Sequence, residues 1–251
     1  MSALFVAWRG GDPQNGVWGP VGRLEFDSGV YRFFYTRGAR TLAGFRPFPQ
    51  MDNLNAVYES EDLFPVFANR LLSSSRPEFD AYLCWGGFDP DNPPEPISIL
   101  SVTQGIRQTD SIEVFPCPAP DIDGCYINKF FLHGVRWVGQ VALDRIARLK
   151  PNESLNLVPD PHNEFDPQAV AVWTADGMRL GYVPRYLAGD IGRLLSDCSY
   201  IELFVERVNQ DAPLQQRVLC RLHACWPEGF LPCSDEAYSP IPHIVPVHCE
   251  A

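Results

Sequence analysis

The 251-residue chain is 45% hydrophobic and 20% charged, the composition of a folded protein of one large or two small domains, which excludes a disordered tail or a coiled-coil rod. No apolar run is long enough to cross a bilayer as a helix. Its 31 acidic and 20 basic residues leave a formal net charge of −11, which excludes a general polyanion binder but not a small, local nucleic-acid site.

Met1–Gly10 carries no basic residue ahead of its apolar stretch, which stops at Trp8, so a secretory leader is not expected and a cytoplasmic location is. Val21–Phe26 and Tyr31–Tyr35 read as a hairpin turned by Asp27-Ser28-Gly29. Ser60 reads as the N-cap of a helix from Glu61 to Leu72, with Glu61 and Asp62 in its first turn. Leu63, Phe64, Phe67, Leu71 and Leu72 share one face of it, and Pro65 falls early enough to be tolerated. Residues 89–96 and 115–123 are proline-rich, which excludes helix and central strand there, and between them Ile97–Val102 and Ser111–Phe115 read as short strands.

In the second half, Val141–Leu149 reads as a short amphipathic helix stopped by Pro151. Strands follow at Ser154–Val158, Ala169–Trp173 and Arg179–Val183, the last two joined through Asp176-Gly177. Pro184 opens a helix whose buried stripe is Leu187, Ile191, Leu194 and Leu195. Two more strands, Tyr200–Val208 and Gln216–Cys225, precede a proline-rich tail, Cys233–Ala251, expected to be irregular. The expected organisation is a module at 1–88, a proline-rich connection at 89–125, a second module at 126–226 and a tail at 227–251. The fold class expected is an α+β module followed by a mainly β, OB-like barrel with one or two helices.

Charge divides unevenly over these parts. Residues 1–125 hold 9 basic and 16 acidic residues, and residues 126–225 hold 11 of each. Only the second folded half therefore lacks a net repulsion for polyanions. Apart from Lys129 and Lys150 every basic residue is arginine, a bias that GC-rich codon usage accounts for, although the guanidinium also pairs with phosphate and stacks on rings. The eight cysteines show no two-residue spacing. Gathering Cys220, His223, Cys225, Cys233 and His248 into a zinc site would need irregular spacing, so buried or incidental thiols are expected, with no metal and no cofactor.

The most informative segment is Leu155–Trp173, a strand running into a compact polar loop and a buried strand running out. The loop presents His162, Asn163, Phe165 and Asp166. Taken alone, Asn163 and Asp166 need do no more than build the turn through side-chain to backbone bonds. The block His133-Gly-Val-Arg-Trp137 precedes this loop, and Gly181-Tyr-Val-Pro-Arg-Tyr-Leu-Ala188 follows it.

In this order and spacing the three blocks resemble the HIRAN domain, over about residues 130–225. That domain is found at the N-terminus of some DNA-repair helicases and alone in bacteria. The resemblance implies an OB-like barrel that grips the 3′ end of single-stranded DNA. It implies a DNA-contacting arginine at Arg136 and a base-stacking ring at Trp137. It makes Asn163, Phe165 and Asp166 the end-binding loop, and Tyr182 and Arg185 the opposite wall. His162 stands where a second asparagine is usual, Phe165 lacks the hydroxyl of the common tyrosine, and Trp137 is larger than the usual tyrosine. These departures leave the preference for DNA over RNA open. Core packing is expected for at least one of Trp137, Phe165 and Tyr182.

The pattern Val21–Phe26, Tyr31–Tyr35, Pro47-Phe-Pro49 and Leu63–Leu72 resembles the small N-terminal subdomain of HipA-type toxin kinases, over about residues 17–86. That resemblance implies a protein-contact module, not a catalytic one. The sequence has no phosphate-binding loop and no catalytic Asp with a downstream Asn. The expected function is a non-enzymatic DNA-end binder with a protein-contact module, whose partner is a HipA-like kinase or a DNA-processing enzyme. The alternative is an interaction protein that binds or restrains a HipA-like kinase.

Overall fold

A computed structural model describes residues 2–10, 16–107, 111–242 and 245–248. In chain order its elements are β1 (Ser2–Gly10), β2 (Val17–Asp27), β3 (Val30–Tyr35), α1 (Gly38–Thr41), β4 (Ala56–Ser60), α2 (Pro65–Ala68), α3 (Phe79–Trp85), α4 (Pro96–Thr103) and β5 (Ile112–Pro116). They continue with β6 (Cys125–Phe131), α5 (Gln140–Ile146), β7 (Ser154–Pro159), β8 (Val170–Thr174), β9 (Arg179–Tyr182) and α6 (Arg185–Asp197). β10 (Ile201–Val208), β11 (Val218–Cys225) and β12 (Val245–His248) complete the chain. Among the described residues no helix is long and apolar enough to cross a membrane.

Two compact units form. One comprises Met1–Arg76, Pro94–Cys117 and Cys233–Ala251, the other Pro77–Pro93 and Pro118–Pro232. This division is more interleaved than the sequence boundaries: α3 joins the second unit, α4 and β5 join the first, and the tail returns to the first. Residues 77–93 bring Glu78, Asp80, Asp89 and Asp91 but no basic residue into the second unit. Charge balance is thus a property of the 126–225 segment, not of the whole unit.

The first unit is β-rich where an α+β module was expected. Its sheet runs β12-β4-β3-β2-β1-β5, antiparallel except for the parallel pair β12–β4. The β2–β3 hairpin turns as expected, because Ser28 (φ 51°) and Gly29 (φ 84°) take the left-handed conformations that match strand twist. Pro20 sits beside a bulge, where the register against β1 shifts between Val6 and Ala7. The core centres on the fully buried Phe33, whose ring lies 4.9 Å from Tyr35, 5.5 Å from Phe67 and 5.6 Å from Phe48. The buried Tyr35 hydroxyl donates to the Met51 carbonyl and accepts from the Phe48 amide, each at 2.7 Å.

Three sequence expectations fail here. The helix expected over Glu61–Leu72 is only α2, because Pro65 forces Phe64 into an extended conformation (ψ 139°) and opens the helix itself. Ser60 is then no N-cap but the last residue of β4, paired with Tyr31. Ile97–Val102 is not a strand but lies in α4, which Pro96 opens and Gln104 (φ 60°) closes. Ile97, Leu100 and Thr103 are buried at three-residue spacing, and a short apolar run does not announce which period it will use. The tail is not irregular throughout: β12 pairs with β4 from Val245 opposite Ala56, and Ile241 is fully buried.

Thr36 carries a fully buried hydroxyl that has no partner among the described residues. Thr36→Val keeps the branched shape and removes the unmet polar group, so stability is expected to hold or rise by about 1 kcal/mol. A urea denaturation midpoint that falls would contradict this.

The second unit is mainly β, a six-stranded antiparallel sheet ordered β6-β11-β10-β7-β8-β9. The edges of the sheet are β6 and β9, and they meet: His133, just past β6, exchanges two backbone hydrogen bonds of 2.9 Å with Tyr182 of β9. The sheet is therefore curled into a half-barrel, in keeping with the OB-like expectation. Within α6, Leu187, Ile191 and Leu194 are fully buried and Leu195 half-buried, the stripe that periodicity predicts. Strands β7 to β11 begin and end within two residues of their expected bounds.

Candidate nucleic-acid interface

The barrel closure builds the first wall of the site. A Cβ on Gly181 would stand 2.5 Å from the His133 carbonyl oxygen, so only glycine lets the two edges approach. One residue on, Gly134 takes φ 73° and starts a one-turn 3-10 helix, Val135–Trp137. Val135 anchors this turn in the core, while Arg136 and Trp137 project outward. The Arg136 guanidinium lies 4.7 Å from the Trp137 ring centre, and that ring is 77% exposed. An indole so exposed is uncommon on a surface that meets only water.

The polar loop between β7 and β8 is held by its own side chains. Its ends close through the Asp160 amide to the Ala169 carbonyl (2.7 Å) and the Ala169 amide to the Asp166 carbonyl (3.0 Å). Asn163 Oδ1 accepts from the amides of Phe165 (3.0 Å) and Asp166 (3.2 Å), while its Nδ2 donates to Asp160 (3.4 Å). Asp166 Oδ1 accepts from the Gln168 amide at 3.0 Å. The turn-building role of Asn163 and Asp166 is therefore real, and it fixes where the rest of the loop points. Phe165 is left 58% exposed, and His162 is exposed beside it.

Tyr182 joins wall to loop. Its hydroxyl donates to Asp160 Oδ2 (2.9 Å) and accepts from Arg179 (3.1 Å). Its ring sits where a Cβ on Gly134 would be 3.4 Å away. Burial, and then the Asp160 carboxylate, raise the phenol above its ordinary pKa. Arg185 opens α6 and places Nε 3.5 Å from Asp166 Oδ2. A carboxylate and a guanidinium thus stand side by side near the start of a 13-residue helix. Such a pair can accept a hydroxyl and bind an adjacent phosphate at once.

Asn163, Asp166, Tyr182 and Arg185 are linked by this network, and the turn bearing Arg136 and Trp137 is tied to it through the His133–Tyr182 backbone bridge. Neither Trp137 nor Phe165 packs in the core. Tyr182, half-buried, comes nearest to the packing expected of one of the three. Asp160 and Arg179 were not singled out from sequence, and Gly181 was read only as the first residue of the block that leads into α6. Asp160 had a readable signal, an Asp-Pro three residues ahead of an Asn, as in side-chain-built turns.

The cysteines fall elsewhere. Cys220 is fully buried, which pushes its thiol up, and Cys198 donates to the Cys225 carbonyl at 3.0 Å. Among the described residues no three His, Cys, Asp or Glu side chains are grouped to hold a metal ion. Cys249 lies outside the described residues, as does the side chain of His248.

A comparison with curated proteins finds no match. Among solved structures, the chain is similar to the HIRAN domain of human HLTF at 18% identity, over 41% of this chain and 81% of that one, with a TM-score of 0.32. It is also similar to a protein from Lactobacillus plantarum at 21% identity, over 40% of this chain and 97% of that one, with a TM-score of 0.34. The HIRAN domain family model matches residues 128–224. The match does not extend to residues 17–86, so the HipA-like pattern there rests on sequence resemblance. Residues 128–224, which hold both the barrel closure and the polar loop, are supported as a HIRAN domain by that family match.

Proposed function

We propose that the second unit binds the 3′ end of single-stranded DNA and does so without catalysing a reaction. The observation that carries this is the pairing of Asp166, on a loop rigidified by Asn163, with Arg185 at the start of α6, flanked by the exposed rings of Trp137 and Phe165. Asp166 repels an internal phosphate but accepts a hydrogen bond from a free 3′-hydroxyl. Arg185 offsets that repulsion for the last phosphodiester, and Arg136 takes the next. Trp137 and Phe165 stack on terminal bases without reading sequence, at about 1–3 kcal/mol per base.

Fluorescence anisotropy with a short 5′-labelled single strand tests this. Trp137→Ala is expected to weaken binding by about tenfold through lost stacking. Unchanged affinity in that variant would remove the ring from the site. With about two phosphates neutralised, the slope of log K against log salt is expected near −1.4. A slope steeper than about −4 would mean a long basic groove instead of an end site.

The first unit is proposed as a protein-contact module, for a HipA-like kinase or a DNA-processing enzyme. Its sequence resemblance to HipA-type subdomains supports this. Recovery of such a partner with the native chain tests it.

A further inference from the structure

The first unit holds a pocket that the site above does not use. A cavity of about 610 Å³ opens between the β2–β3 hairpin, the segment around α2 and the start of α4. Its floor is apolar: Phe26 and Tyr31, with ring centres 4.4 Å apart, beside Leu63 and Leu71. Its rim is acidic, formed by Glu61, Asp62 and Glu95, all exposed. None of these three carboxylates has an ion-pair partner among the described residues.

Tyr31 provides an independent sign of a ligand. The residue is only 5% exposed, yet its hydroxyl makes no hydrogen bond among the described residues. It lines the cavity together with Asp62 and Glu95, both near enough to act on its phenol electrostatically. Burial, then Glu95 and Asp62, push the phenol up to about 12, so it stays a neutral oxygen able to accept. The Tyr31 hydroxyl is not among the unpartnered polar atoms sealed from solvent, so this nearly buried residue turns its one polar side-chain atom to the open cavity, where an entering donor can meet it.

We propose that this pocket receives an arginine side chain presented by a partner protein. The aliphatic stem would lie on Leu63 and Leu71, and the guanidinium would meet the Phe26 and Tyr31 rings and the rim carboxylates. Charge complementarity and the apolar floor together favour an amphipathic cation, and a peptide-borne arginine supplies both parts.

The test is a chemical-shift titration of the full chain with an acetylated, amidated Gly-Arg-Gly peptide, read at Tyr31 and Phe26. Saturable binding is expected, weakened by about tenfold or more in an Asp62→Asn, Glu95→Gln double variant and with a citrulline peptide. Tyr31→Phe keeps the floor and is expected to weaken binding about threefold. Asp123→Asn, in the other unit, is expected to change nothing. No saturable shift, or equal binding of the citrulline peptide, would overturn the proposal. Equal affinity for ethylguanidinium would overturn the assignment to a protein-borne side chain.

Discussion

Gly181→Ala is expected to destabilise the second unit by about 2–3 kcal/mol and to lower single-strand affinity by about tenfold or more. The added methyl meets the His133 carbonyl at 2.5 Å, a backbone atom that cannot swing aside as a side chain would. The two hydrogen bonds joining His133 and Tyr182 must then lengthen. Both walls of the site hang on that bridge, because Arg136 and Trp137 follow His133, and Tyr182 holds Asp160 and so the loop. Gly177→Ala is the matched control. Gly177 also has positive φ (83°), but a Cβ there meets nothing within 4 Å. It is expected to cost about 1–2 kcal/mol of backbone strain and to leave affinity unchanged. Urea denaturation and anisotropy on both variants separate loss of fold from loss of site.

The second large effect lies in the first unit. Phe33→Ala is expected to cost about 3–5 kcal/mol. Phe33 is fully buried on the central strand β3, and its ring meets Tyr35, Phe48 and Phe67 within 5.6 Å. Truncation leaves a hole bounded by rings that are themselves fixed. Tyr35 cannot swing into it without giving up its two hydrogen bonds. Phe33→Leu, which fills most of the volume, is expected to cost less than half as much. Denaturation midpoints of the two variants check the order, and equal losses would mean that the cluster repacks freely.

What the sequence disclosed follows from how local each signal is. The Asp27-Ser28-Gly29 turn and the Pro184 start of α6 depend on the conformations of one or two residues, and both were legible. So was the polar loop, since the Asn163 bonds that shape its turn go to groups within three residues of itself. The pairing of β12 with β4 joins residues nearly 190 positions apart and left no local trace. The tail looked irregular because its prolines obscure alternation. In Ile97–Val102 an apolar run was legible but its period was not, and Pro96 decided for helix. Asp160 escaped notice because its main partner, Tyr182, is brought to it only by the curl of the sheet.

The central claim is that the second unit recognises a strand end, and one comparison tests it most directly. The same short single strand is offered with a 3′-hydroxyl and with a 3′-phosphate, to the parent chain and to Asp166→Ala. The parent is expected to prefer the hydroxyl by about tenfold or more, since a terminal phosphate places negative charge against the Asp166 carboxylate. Asp166→Ala is expected to erase most of that preference, whereas a purely structural role for Asp166 would weaken both strands alike. Equal affinity of the parent for the two strands, with no loss in Asp166→Ala, would contradict end recognition.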